Sequence, residues 1–307
     1  MPSTLTLPSP PFQGQGLFSG QPGALRIFPM LSGGLIIDAR QSAPPHQLFG
    51  PLLASAHATH ANLTTDLAWS GLPRGVPVRN TTLALGAGHV AATVEHLLAA
   101  LAGLNIWNAW ITLSGPEVPI LDGSALPFAQ AFAANLAPLT SQSTGSQAAR
   151  AALAPLVLTT TITVERDGAS ITAAPPPAGS PLSYTYSLDY GPDSPLRPQS
   201  ATWTGDATDF ATNIAPARTF SLEHEARAAH KLGLFRHLSP RDMLVIGARG
   251  QPIDNDWRVE HEPAKHKLLD LIGDLALLGR PLHAAITAHR SGHHLTHELM
   301  RQIIAHD

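Results

Sequence analysis

Within Lys265-His266-Lys267-Leu268-Leu269-Asp270-Leu271-Ile272-Gly273-Asp274 an imidazole and a carboxylate stand four residues apart. Residues at that spacing share one helix face, one turn apart. His266 and Asp270 can therefore grip one metal ion together. Lys267 and Asp274 sit on the same segment, and apolar residues at 268, 269, 271, 272, 275, 277 and 278 are placed to bury it. Charged groups on a buried helix are costly unless paired or bound to a metal. Three protein ligands with one open position make a catalytic zinc site. The third ligand is found in Thr93-Val94-Glu95-His96-Leu97-Leu98-Ala99-Ala100-Leu101-Ala102-Gly103, which reads as a short helix with Thr93 as N-cap and Gly103 as stop. Glu95 and His96 fall in its first turn. Such a pair suits a hydrolase, the imidazole binding metal and the carboxylate taking a proton from water.

The elements that must position these residues form a repeated pattern. Helix 93–102 is followed by an apolar strand near Ile106–Leu113, a turn at Leu121-Asp122-Gly123-Ser124 and a helix near Pro127–Asn135. Helix 264–278 is followed by a strand near His283–Ala288, then Ser291-Gly292 and a helix near Leu295–Ile304. Strand-like runs precede each set, at Ala24–Phe28 and Leu35–Asp38, then at Val157–Val164 and Ser183–Tyr190. The fold class is therefore α+β, in two related β-α-α-β halves with helices packed between two sheets. The first half spans 1–138 and the second 154–307. The polar run Thr140-Ser141-Gln142-Ser143-Thr144-Gly145-Ser146-Gln147 marks a linker at 139–153. A cleft between the halves brings His96 to His266 and Asp270.

Composition narrows the chemistry. There is no cysteine, so disulfides, thiolate nucleophiles and Cys-ligated zinc are excluded, and any metal must use His, Asp or Glu. A net charge of −3 with only 13% charged residues argues against a binder of nucleic-acid phosphates. Met1 to Gly16 has no basic segment followed by an apolar run, so no secretory signal is expected. No run of ~18 apolar residues suggests a membrane span. A cytoplasmic monomer is the expectation. Of the remaining histidines, His57 and His60 stand at i and i+3 without a second pair beside them. For these two, and for His237, His294 and His297, a solvated surface position is expected.

Taken together the motifs resemble the UDP-3-O-acyl-N-acetylglucosamine deacetylase family, the zinc enzymes of lipid A synthesis. The resemblance rests on Arg79-Asn80-Thr81-Thr82-Leu83, on Thr93–Leu101, and on Glu117-Val118-Pro119-Ile120-Leu121-Asp122-Gly123-Ser124-Ala125. Ala217-Arg218-Thr219-Phe220, the segment His266–Asp274 and Ser291-Gly292-His293 complete it, in order, from about Gly14 onward. It implies His96, His266 and Asp270 as zinc ligands and Glu95 as general base. His293 becomes the general acid, oriented and kept cationic by Asp274. Thr219 would donate to the oxyanion and Lys267 would add positive charge near the scissile amide. Phe220 and Phe18 are implied as substrate contacts, and the substrate is a nucleotide sugar or another acetamido sugar.

The chain departs from the family on the substrate side. Gly16-Leu17-Phe18-Ser19-Gly20 has Phe18 where the family carries a histidine. Leu158–Val164 lacks the lysine that meets the nucleotide phosphates, and His237-Leu238 replaces a pair of glycines that shapes the acyl passage. Tyr190-Gly191-Pro192 stands for a His-Pro step, and Val259 for an aromatic. Two alternatives to the family activity follow. One is a paralogue that deacetylates a different N-acetyl sugar or small amide; the other is a non-catalytic zinc-binding relic.

Overall fold

The computed structural model describes residues 3–39, 55–57, 59–65, 70, 79–138, 154–240 and 243–306. The expected linker at 139–153 lies outside the described residues, as do the side chains of His57 and His60.

Two five-stranded sheets carry the structure. The first contains β1 (Phe12–Gln15), β2 (Pro22–Pro29), β3 (Leu35–Asp38), β4 (Ser55–His57) and β5 (Ala109–Ser114), in the order β1-β2-β5-β3-β4. The second contains β6 (Ile162–Arg166), β7 (Ala169–Ala174), β8 (Ser183–Leu188), β9 (Gln199–Trp203) and β10 (Ala285–His289), in the order β6-β7-β10-β8-β9. In both, the last strand enters at the centre. It runs antiparallel to the second strand and parallel to the third. A parallel neighbour requires a crossover, and each half uses a helix on that path. Period-two alternation fixes which face is buried: Tyr184, Tyr186 and Leu188 point inward, while Ser183, Thr185 and Ser187 are only half-buried.

The helices are α1 (Glu95–Gly103), α2 (Leu126–Ala133), α3 (Glu223–Lys231), α4 (Glu262–Leu275) and α5 (His293–His306). Every residue of α1 is buried, and α4 leaves only Lys265 and Lys267 partly exposed. Helices apolar on nearly all sides belong in a core. The α4 helix packs against α1, α5, β8 and β9, and α5 lies on β6 and β7. Leu25, Ile27, Ile37, Ile111 and Leu113 of the first sheet share one core with Leu97, Leu98 and Leu101 of α1 and Leu268, Leu269 and Ile272 of α4.

The crossing of α1 and α4 sets the site, and it depends on a missing side chain. A Cβ on Gly273 would stand 2.0 Å from the Glu95 carbonyl oxygen. Only glycine lets the backbones approach so closely. At the other end of α1, a Cβ on Gly103 would meet the Phe210 ring at 2.4 Å.

Two expectations change and one element is new. The run Val157–Val164 is not one strand. Leu156–Val157 pairs in parallel with Leu282–His283, and a new strand starts at Ile162. It turns into β7 through Asp167-Gly168, both with positive φ, the pattern of a tight hairpin. Thr93 does not cap α1 with its side chain. Its φ is +55°, outside the extended region an N-cap needs, and its hydroxyl donates to Glu117 Oε1 at 2.7 Å. The hairpin Thr82–Gly86 with His89–Ala92 had no counterpart in the sequence pattern, yet it sets the residue before it, Thr81, beside α1.

Candidate active site

Four short segments from both halves meet at one point. The first turn of α1 supplies Glu95 and His96; one face of α4 supplies His266, Lys267, Asp270 and Asp274; the start of α5 supplies His293. The fourth is the loop 217–219 ahead of Phe220–Leu222. Arg218, only 3% exposed, clamps that loop to α4. Its Nε donates to Glu262 Oε1 at 2.8 Å, and its Nη1 and Nη2 donate to Asn255 Oδ1 and the Asp256 carbonyl. The loop in turn orients a site residue: His266 Nδ1 donates to the Ala217 carbonyl at 3.1 Å. That bond leaves the His266 Nε2 lone pair free to face His96 and Asp270.

Ligand atoms of His96, His266 and Asp270 lie within 4.8 Å of one another, and all three residues are buried. Both imidazole Nε2 atoms stand 3.5 Å from Asp270 Oδ1. That oxygen is buried and has no hydrogen-bond partner among the described residues. A carboxylate oxygen left so is expensive. A cation between the three donors would satisfy it, so this donor set fits a metal. The other oxygen, Oδ2, accepts from Lys267 Nζ at 2.5 Å. Lys267 therefore neutralises Asp270 in addition to lining the cleft.

Electrostatics follows from burial and pairing. Burial pushes His266 down to about 3, keeping it neutral as a metal ligand must be. Burial would raise Asp270, but the Lys267 ammonium outweighs it and holds the carboxyl well below its ordinary range. Glu95 is raised by burial, with His293 and His96 offsetting only part of this. One of its oxygens, Oε2, accepts from the Thr81 amide at 3.1 Å. Burial would lower His293, yet Asp274 overrides it and holds the imidazole up at about 9. The His293 Nδ1–Asp274 Oδ2 distance is 2.7 Å, which turns Nε2 away from the pair and toward the cleft. Two neighbouring carboxyl groups are thus driven apart, Glu95 upward and Asp274 downward. Such separation marks acid–base sites.

A cleft of about 1070 Å³ opens over these residues. Thr219 and Phe220 line it beside the donor set, and Phe18 lines it from the first half, its ring 5.6 Å from that of Phe235. Beyond Phe220 the wall is apolar, with Leu234, Leu238, Met243 and Val245. Arg79, Arg227 and Arg290 stand on its borders. Leu238 lines this cleft, but His237 does not. The His237 ring turns to the Gly16 carbonyl, Nε2 to O 3.0 Å, and ties the two halves together outside the cleft.

Sequence reasoning missed two residues. His297 is half-buried rather than solvated, with Nε2 3.0 Å from Thr81 Oγ1. It lies at i+4 from His293 on α5, so the spacing carried the signal. Thr81 is fully buried and touches Glu95, Asp274, His293 and His297.

A buried two-imidazole, one-carboxylate set, with a raised carboxyl on one side and a carboxylate-held imidazole on the other, is the equipment of a metal-dependent hydrolase. The particular family follows from comparison. The family model for UDP-3-O-acyl N-acetylglycosamine deacetylase matches residues 6–305, and the chain belongs to that family. It is 32% identical over 294 residues to the UDP-3-O-acyl-N-acetylglucosamine deacetylase of Synechocystis sp., covering 95% of this chain and 94% of that protein. It is 37% identical over 230 residues to the protein of that name from Thermosynechococcus vestitus, covering 74% and 75%. With its namesake from Anaeromyxobacter sp. it shares 33% over 302 residues, 95% of this chain and 85% of that one.

Proposed function

We propose that this chain hydrolyses the acetamide of UDP-3-O-acyl-N-acetylglucosamine, releasing acetate and the free amine, with zinc held by His96, His266 and Asp270. The observation that carries the reading is the buried, unpartnered Asp270 Oδ1, 3.5 Å from two imidazole nitrogens. Bound there, zinc would polarise the acetamide carbonyl and bring the pKa of water to about 7.

The chain's own residues do the rest. Glu95, its Oε2 fixed by the Thr81 amide, takes the proton from the water that attacks the carbonyl carbon. Thr219 donates its hydroxyl to the oxygen that gains charge. His293, cationic through Asp274, gives the Nε2 proton to the departing nitrogen. The C–N bond breaks, the amine leaves with that proton, and acetate carries the oxygen of water. Lys267 keeps Asp270 ionised and adds positive charge on the carbonyl side. Phe220 and Phe18 contact the substrate. The apolar passage past Phe220 suits the 3-O-acyl chain, where each buried methylene contributes ~0.8 kcal/mol.

Phe18 favours a second reading. Its ring packs on Phe235 and brings no hydrogen bond to a sugar, and Leu158–Val164 brings no cation to a phosphate. A different N-acetyl sugar would tolerate both changes. A relic without activity has no use for the Glu95 and His293 arrangement. The halves divide at 139–153 in this reading, with 1–138 and 154–307 on either side. The donor set is complete within one chain, so the site needs no second copy. Among the described residues no helix is long and apolar enough to cross a membrane. A UDP-linked sugar as substrate supports a cytoplasmic setting.

The test is acetate release by the zinc-loaded protein from the full substrate, from a version lacking the acyl chain, and from N-acetylglucosamine. Strong preference for the full substrate is expected. Equal turnover of the simple acetamides would transfer the assignment to the second reading, and no turnover of any would leave a relic.

A further inference from the structure

Among the described residues a second group of metal-binding side chains, Asp274, His293 and His297, gathers beside the first. It does not enclose an empty site. Its donors converge on one hydroxyl: Thr81 Oγ1 lies 2.5 Å from Asp274 Oδ1, 3.0 Å from His297 Nε2 and 3.3 Å from His293 Nδ1. The directions of these bonds follow from what each group carries. Ionised Asp274 only accepts, so the Thr81 hydroxyl donates to it. The Thr81 oxygen can then accept, and His297 Nε2–H is the donor in reach. The same residue's amide donates to Glu95 Oε2. Thr81 is 0% exposed and Asp274 1%.

We propose that Thr81 is a positioning residue for both ends of the proton path: its amide fixes the Glu95 carboxylate, and its hydroxyl, itself held by His297, fixes Asp274 and through it His293. This rests on the assignment of Glu95 and His293 as base and acid. The base sits on α1 and the acid on α5, with α4 between them. Nothing else among the described residues touches Glu95, Asp274 and His293 together. The arrangement requires a hydroxyl at position 81. Serine has the hydroxyl without the methyl, and valine has the shape without the hydroxyl. The amide bond to Glu95 survives either change.

The experiment compares Thr81→Val, Thr81→Ser and His297→Asn, singly, and the double variant Thr81→Val/His297→Asn. With the zinc-loaded enzyme and its UDP-acyl substrate, Thr81→Val should lower kcat by about tenfold to a hundredfold, the range for losing a hydrogen bond to a charged group. KM and zinc content should stay at wild-type values. Thr81→Ser should recover most of kcat, and His297→Asn should cost less than Thr81→Val. The double variant should lose less than the sum of the two single losses, because His297, whose Nε2 also stands 3.7 Å from Asp274 Oδ1, acts chiefly through the hydroxyl already removed. A wild-type kcat in Thr81→Val, a loss that Thr81→Ser does not recover, or additive losses in the double variant would overturn the proposal. Should Thr81→Val not fold, Thr81→Ser and His297→Asn still decide it through their kcat and KM. A second readout needs no substrate. The His293 Nδ1 proton, followed by NMR in ¹⁵N-histidine protein, should shift in Thr81→Val and stay in Thr81→Ser. If that shift appears while no variant, wild type included, turns over substrate, the functional assignment fails and the positioning stands. If the shift is absent in an active enzyme, the positioning fails alone.

Discussion

The two halves share one sheet order and contribute unequally to the site. The helix ahead of the central strand in the first half, α1, is apolar except for Glu95 and His96 in its first turn. Its counterpart in the second half, α4, carries His266, Lys267, Asp270 and Asp274 along one face, and α5 adds His293. The first half is thus mostly scaffold with a single polar turn, and the second carries most of the candidate site. No half holds the whole donor set, so the site exists only where α1 and α4 cross. That crossing depends on the absence of a side chain at Gly273, while the Arg218–Glu262 pair holds the loop 217–219 to α4.

The hardest test of this asymmetry removes one group from each half. His96→Ala and His266→Ala should each lose zinc and activity together, although they come from different halves. Glu95→Ala should keep zinc and lose ~10²–10⁴-fold in kcat, the range for a general acid or base; full turnover in that variant would reject Glu95 as base. Metal analysis beside acetate release separates the two outcomes.

The packing that supports the site can be weakened without removing a reacting group. Arg218→Ala leaves the Glu262 carboxylate buried and unpaired and should cost ~3–5 kcal/mol, read by chemical denaturation. Gly273→Ala forces a methyl against the Glu95 carbonyl and should cost ~1–3 kcal/mol. It should also lower kcat, because Glu95 moves with its backbone. A stable, fully active Gly273→Ala protein would mean the crossing is looser than the structure indicates.

The acid side sharpens the comparison through pH. His293 is raised in the folded chain from ~6.5 to about 9. A raised imidazole favours the folded state fully below ~6.5, and that contribution is lost as pH rises through about 9. Activity that needs the imidazolium should fall over the same upper limb, while the lower limb reports Glu95, raised by burial. Asp274→Asn removes the carboxylate that holds His293 up, so the upper limb should move down toward ~6.5; an unmoved limb would place the acid elsewhere. The smallest effect belongs to the surface. Arg227→Ala breaks an exposed pair with Glu223 on α3 and should change stability by no more than ~0.5 kcal/mol.

Much of this was readable in the sequence, and the reasons differ between elements. The strand Leu35–Asp38 and the helices near 93–102, 264–278 and 295–304 have strong periodicity, so they were placed to within a few residues. Edge strands such as β1, β6 and β9 are short and half exposed, and their alternation is too brief to separate from loop. The face of α4 that gathers His266 and Asp270 was legible because i and i+4 fix a common side. Thr81 was not, since its role comes from a hairpin that joins positions 193, 212 and 216 residues distant. Thr93 was misread because its type suits a cap, while the turn entering α1 demands a left-handed φ that composition does not reveal. His237 was expected to be solvated, and only the fold shows it half-buried with its ring turned to Gly16.

The central claim is that one metal is shared between the halves by His96, His266 and Asp270. Anomalous diffraction at the zinc edge from crystals of the zinc-loaded protein tests it most directly. The account predicts a single strong peak about 2.0–2.2 Å from His96 Nε2, His266 Nε2 and an Asp270 carboxylate oxygen. A peak held by one half alone, or by Asp274, His293 and His297, would contradict it.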